Sequence, residues 1–131
     1  MFYETLDDVI KAEAFTIFLR KGLMSKSEIL QIFAEQAQFP GHFGMNWDAF
    51  EECILDLSWI GPHEVRIIHE DIPMGGDFNS AKIYINIISE ASAYWNSTDP
   101  SSTAKGPGHK LEVFFPTEIH DEVNKYLDSS H

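Results

Sequence analysis

Apolar residues recur along this chain in two rhythms. Three short runs, residues 14–19 (Ala-Phe-Thr-Ile-Phe-Leu), 64–69 (Glu-Val-Arg-Ile-Ile-His) and 111–115 (Leu-Glu-Val-Phe-Phe), are rich in β-branched and aromatic side chains. Their length and composition predict buried strands. The segments between them carry helical spacing. Ser25 and Glu28 form a capping-box signature that opens a helix through about residue 37, with Ile29, Ile32 and Phe33 turned inward. After a turn at Met74-Gly75-Gly76-Asp77, Asn79 or Ser80 caps a helix through about residue 95 that carries Ile83, Ile87, Ile88, Ala91 and Trp95. Residues 119–127 predict a closing helix. Strands alternating with helices predict an α/β fold: a small three-stranded parallel sheet covered by helices, in one domain spanning residues 1–131. Residues 1–12 read as an N-terminal extension with a helical turn around Leu6, Val9 and Ile10. Residues 96–110, rich in Ser, Thr, Gly and Pro, read as a flexible loop, and residues 118–131 as a C-terminal helix and tail.

The segment between the first two predicted strands has a different character. Pro40 and Gly41 break the preceding helix, and Gly44 can take the positive φ that a tight loop needs. Asn46 is a good N-cap for the helix that follows. Placing residues at about 100° intervals gathers Trp47, Phe50, Cys53, Ile54 and Leu57 on one arc and Asp48, Glu51, Glu52 and Asp56 on the other, with Leu55 among the acids. The first arc predicts core and the second an outward face. From Ser27 to Val65 the chain carries seven carboxylates and no Lys or Arg. Asp48/Glu52 and Glu52/Asp56 are like-charge i,i+4 pairs, each unfavourable by a few tenths of a kcal/mol. Asp56 also stands near the negative end of the helix dipole. A merely solvated face tolerates such charges, but one shaped for stability interleaves cations. The pattern points to a contact face, with Leu55 at its middle, for a strongly positive partner.

The whole composition agrees. The 131 residues have a net charge of −12 with 44% apolar content. Such a charge repels nucleic acid and favours basic partners met by fast, salt-sensitive association. A single cysteine, Cys53, excludes an intramolecular disulfide and reads as a core thiol. No signal-peptide pattern or long apolar span stands out, so a cytoplasmic protein with no membrane contact is expected. Neither a phosphate-binding loop, a zinc spacing nor a Ser-His-Asp arrangement is visible, so no cofactor, no metal and no catalytic residue is expected. The rival chemistry is a small metal-dependent hydrolase at His69-Glu70-Asp71, a triplet at a strand end that lacks a recognisable ligand spacing.

The run Gly44-x-Asn46-Trp47-Asp48-Ala49-Phe50, with Cys53 and Asp56-Leu57-Ser58-Trp59 after it, resembles the barstar family of ribonuclease inhibitors. The order of the flanking elements agrees with that family's fold. The resemblance implies a non-catalytic, about one-to-one inhibitor of a basic ribonuclease, an immunity protein against a toxin, which fills a phosphate-binding cleft with carboxylates. It implies that Glu52 enters the phosphate pocket, that Asp48 stands one turn earlier, that His42 covers the enzyme's active-site histidine, and that Asn46 follows the loop of His42, Phe43 and Gly44. Glu90 matches an acidic residue on a later helix. Glu51, Leu55 and Asp56 complete the expected partner-binding set. Glu52 replaces the usual Asp, His42 a Tyr, and Glu51 and Leu55 the Trp and Thr of the best-known member, which implies a different target cleft. An acidic adaptor for a basic protein that is not a nuclease would use the same face.

Overall fold

The computed structural model describes residues 2–39, 46–56, 64–96 and 110–128. Four parallel strands, β1 (Phe2–Tyr3), β2 (Phe15–Leu19), β3 (Glu64–His69) and β4 (Lys110–Pro116), form one sheet in the order β1-β4-β3-β2. The register pairs Ile17 with Ile67 and Ile67 with Val113, so like apolar positions stack across the sheet. The helices are α1 (Lys26–Gln36), α2 (Trp47–Asp56), α3 (Phe78–Asn96) and α4 (His120–Asp128). Three-residue 3-10 turns at Leu6–Asp8 and Thr117–Ile119 complete the described elements.

Alternation along the strands divides the interior in two. Ile17, Leu19, Val65, Ile67, Leu111, Val113 and Phe115 meet the buried faces of all four helices in one large core. The opposite face presents Phe18, Ile68 and Phe114 to a smaller cluster closed by Tyr3, Leu6 and Val9. The predicted three-stranded sheet is therefore four-stranded, and among the described residues the four α-helices all cover the same face. The N-terminal extension covers the other, supplying both the added strand and the second cluster. It is tied down by charge: the Arg66 guanidinium donates to the Val9 carbonyl and pairs with Glu64, which also receives Lys11 at 2.9 Å. A two-residue strand escapes sequence reading because its only signature is the edge it joins. That edge belongs to β4, whose unpaired backbone groups it satisfies. At the other edge, the Gln36 amide of α1 mimics a strand, accepting from Phe18 N at 2.7 Å and donating to Phe18 O at 2.9 Å.

The caps follow the sequence with one shift. Ser25 and Glu28 form the predicted capping box. At α3 the helix begins earlier than expected, because Asp77 takes the capping role: its carboxylate accepts from Ser80 N at 3.2 Å and Ser80 Oγ at 2.8 Å. These bonds hold the Asp77 carboxyl below its usual pKa. The predicted loop of residues 96–110 lies almost wholly outside the described residues.

Candidate protein-binding face

Asn46 starts α2 as predicted. Its side-chain oxygen accepts from Ala49 N at 2.8 Å, and its carbonyl accepts from Phe50 N at 2.9 Å. Phe50 and Ile54 are fully buried, while Trp47 and Cys53 are half-buried against them. Phe50 meets the Phe33 ring edge-on at 4.7 Å, locking α2 to α1. Burial pushes the Cys53 thiol up, and Asp56 and Glu52 add to the rise, so it has no nucleophilic bias at neutral pH.

Asp48, Glu51, Glu52 and Asp56 are exposed on the outer side of α2, and none of them forms an ion pair among the described residues. Glu52 lies opposite the buried arc, with Asp48 one turn before and Asp56 one turn after it. Of their neighbours in the same acidic stretch, Glu35 accepts only from Gln31 among the described residues, while two others are engaged by cations. Glu64 is neutralised by Lys11 and Arg66, and Glu28 caps α1 and faces Arg20 at 3.8 Å. Lys26, at the N-terminus of α1, lies over the Trp47 ring at 5.7 Å and leaves the α2 carboxylates alone.

Leu55, expected at the middle of the acidic face, is not fully solvated. It is half-buried and packs against the large core. The packing of α2 on α3 gives the reason. Trp47 and Phe50 lie 6.2 and 5.9 Å from the Tyr84 ring, and Trp95 Nε1 donates to the Ile54 carbonyl at 3.0 Å. The two helices therefore run in the same sense. In right-handed helices so aligned, the flank of α2 turned to α3 carries Glu51 and Leu55. The flank of α3 turned to α2 carries Ile87, with Ile83, Glu90 and Tyr94 further out. Glu90 is exposed on this outer stripe, on the same side of the molecule as the α2 acids. Ile83 is also exposed, although its sequence neighbours suggested core. Tyr84 and Ile85 are buried in its stead. A helix apolar around most of its girth does not reveal from sequence which stripe is left outside. His42, Phe43 and Gly44 lie outside the described residues.

The His69-Glu70-Asp71 corner is structural. His69 is fully buried, with Nδ1 2.9 Å from the Phe114 carbonyl and Nε2 2.6 Å from Tyr84 Oη, and its ring stacks on Phe115 at 4.2 Å. Glu70 and Asp71 accept from the backbone N–H groups of Lys21 and Gly22, both at 3.2 Å. They pin the turn after β2, where Gly22 holds a φ of 83° that favours glycine. Among the described residues, no three His, Cys, Asp or Glu side chains are arranged to hold a metal ion. No helix among them is long and apolar enough to cross a membrane.

A parallel sheet covered by helices on one face, with an asparagine-capped acidic helix on its outside, makes this a small α/β protein with one exposed acidic helix face. Residues 12–114 match the family model described as Barstar (barnase inhibitor), and the chain belongs to that family. Searches of the curated proteins and of the solved structures gave no match. The family match excludes β1, the 3-10 turn after it and α4. These additions touch one another: the Phe2 and His120 rings lie 4.4 Å apart, and Thr117 Oγ1 donates to the Tyr3 carbonyl at 3.0 Å.

Proposed function

We propose that this protein is a non-catalytic inhibitor of a basic ribonuclease, an immunity protein that binds its target about one-to-one in the cytoplasm and closes the phosphate-binding cleft with α2. The observation that carries the reading is four exposed carboxylates gathered on one face of α2 without cation partners among the described residues, while Glu28 and Glu64 of the same stretch are paired. A helix face left in this state is destabilised by its own repulsion until a cationic surface meets it. Arg, Lys and protonated His in a ribonuclease cleft supply charge-assisted donors for those oxygens. Glu52, at the centre of the row, takes the phosphate pocket. Asp48 and Asp56 flank it, Glu51 and Glu90 extend the negative field, and Asn46 fixes the angle at which α2 leaves the loop of His42, Phe43 and Gly44.

The test is titration into RNA-cleavage assays with a panel of small basic ribonucleases, including any encoded beside this chain. Inhibition saturating near one-to-one and weakening as salt rises is expected. Glu52→Ala should raise Kd roughly 30-fold or more, equivalent to about 2 kcal/mol, the scale of an interface hot spot. An unchanged Kd in that variant would defeat the phosphate-mimic role. A basic protein that binds the same face without being a nuclease would move the reading to an adaptor.

A further inference from the structure

Large apolar side chains exposed one at a time are ordinary, whereas several on one ridge beside a charged face are informative. On α3, Ile83 and Tyr94 are each 43% exposed, among only five large hydrophobic residues so exposed in the described chain. With Ile87 and Glu90 they stand at i, i+4, i+7 and i+11, a single stripe about 16 Å long. Tyr94 is held in place by an edge-on contact with Trp95 at 5.4 Å, whose own indole is anchored on α2. Across the groove, α2 offers Leu55 at the same depth as Ile87, both half-buried, with Glu51 above Leu55. The groove thus has an apolar floor of Leu55 and Ile87, an apolar rim of Ile83 and Tyr94, and an acid on each side, Glu51 and Glu90.

The geometry points to this α2–α3 groove as a second anchor for the ribonuclease, taking an apolar side chain that stands between cations at the rim of its basic cleft. The inference rests on the inhibitor reading and adds to it the kind of surface the target must present. Charge complementarity selects the occupant: Glu51 and Glu90 flank the groove, against a single α3 cation, Lys82, which shares the outer face of the helix with Ile83, Asn86 and Glu90. An acidic row alone attracts any basic surface. An apolar seat between acids discriminates among them, because a cation without an apolar neighbour leaves the seat unfilled while a bare apolar patch leaves the acids unpaired.

The experiment uses a ribonuclease that the wild type inhibits and measures association and dissociation rates for the wild type, Glu52→Ala, and the double variant Ile83→Ala/Tyr94→Ala. Both substituted side chains of the double variant are partly solvated, and thermal melting checks that it folds. Its dissociation is expected to quicken about tenfold or more, with the association rate and its salt dependence unchanged, since apolar anchors act on residence time and charges on encounter. A double variant that dissociates at the wild-type rate while Glu52→Ala is weakened would overturn the groove and leave the inhibitor reading standing. A wild type that inhibits no nuclease of the panel would overturn both. Self-association of the wild type at micromolar concentration, abolished in the double variant, would assign the groove to a second copy of this chain and overturn the inference.

Discussion

At His69 the requirement that a buried polar group find partners decides the protonation state. The Phe114 carbonyl can only accept, so Nδ1 carries the proton, and the Tyr84 hydroxyl donates to Nε2. A second proton on the ring would remove the acceptor that Tyr84 uses. Burial, partly opposed by the bond to Phe114, lowers the His69 pKa to about 4. The unfolded chain, with the ordinary value of 6.5, therefore binds more protons than the folded one between these limits. Stability should be complete above about pH 6.5 and fall by about 3 kcal/mol by pH 4. Urea unfolding followed across that range checks this, and His69→Gln should flatten the slope while lowering stability at neutral pH. Tyr84→Phe should cost about 1–3 kcal/mol at pH 7 by orphaning Nε2. None of this was legible in the sequence, where His69 reads as a polar strand end beside two acids. The chain offers no local sign that Tyr84, 15 residues on, would close over it.

At the scale of the element, α2 is largely legible in the sequence. The Asn46 cap, the acidic row, and the burial of Phe50 and Ile54 all follow from local chemistry and a period of 3.6. Asn46→Ala should lower stability by about 1 kcal/mol in denaturant unfolding, because it releases the bond to Ala49 N. The same variant should weaken inhibition by more than its stability loss explains, since the angle of α2 sets where Glu52 points. At Leu55 local chemistry does not decide the environment. Its neighbours in sequence are acids, yet it is half-buried against the large core, because α2 packs alongside α3. The same packing left Ile83 and Tyr94 outside.

For the whole molecule, the segments beyond the family match act as one brace. β1 closes the β4 edge, Val9 and Leu6 cover Ile68 and Phe114, and the Phe2 ring meets His120 of α4. Removing residues 1–11 should cost on the order of 3 kcal/mol or more, from the burial of Tyr3 and Val9 alone. Calorimetry would read the loss, and a dye that binds exposed apolar surface should report the bared Phe114 face. Inhibition measured well below the new melting temperature should survive, because α2 and α3 lie on the opposite face of the sheet. Lost inhibition in a variant that remains folded would contradict that separation.

The sequence by itself determined the elements that depend on near neighbours: three strands, four helices, the capping box at Ser25, the cap at Asn46 and the acidic face of α2. Each is set by residues within one or two turns of one another, so its physical cause is contained in a short window. Only the tertiary structure decided what depends on distant partners. These are the fourth strand, which exists because β4 has an edge to fill, and the neutral His69, which exists because three elements exclude water around it. The packing of α2 on α3 belongs with them, since Trp95 and Ile54 are 41 residues apart in the chain and meet only when both helices pack on the same face of the sheet.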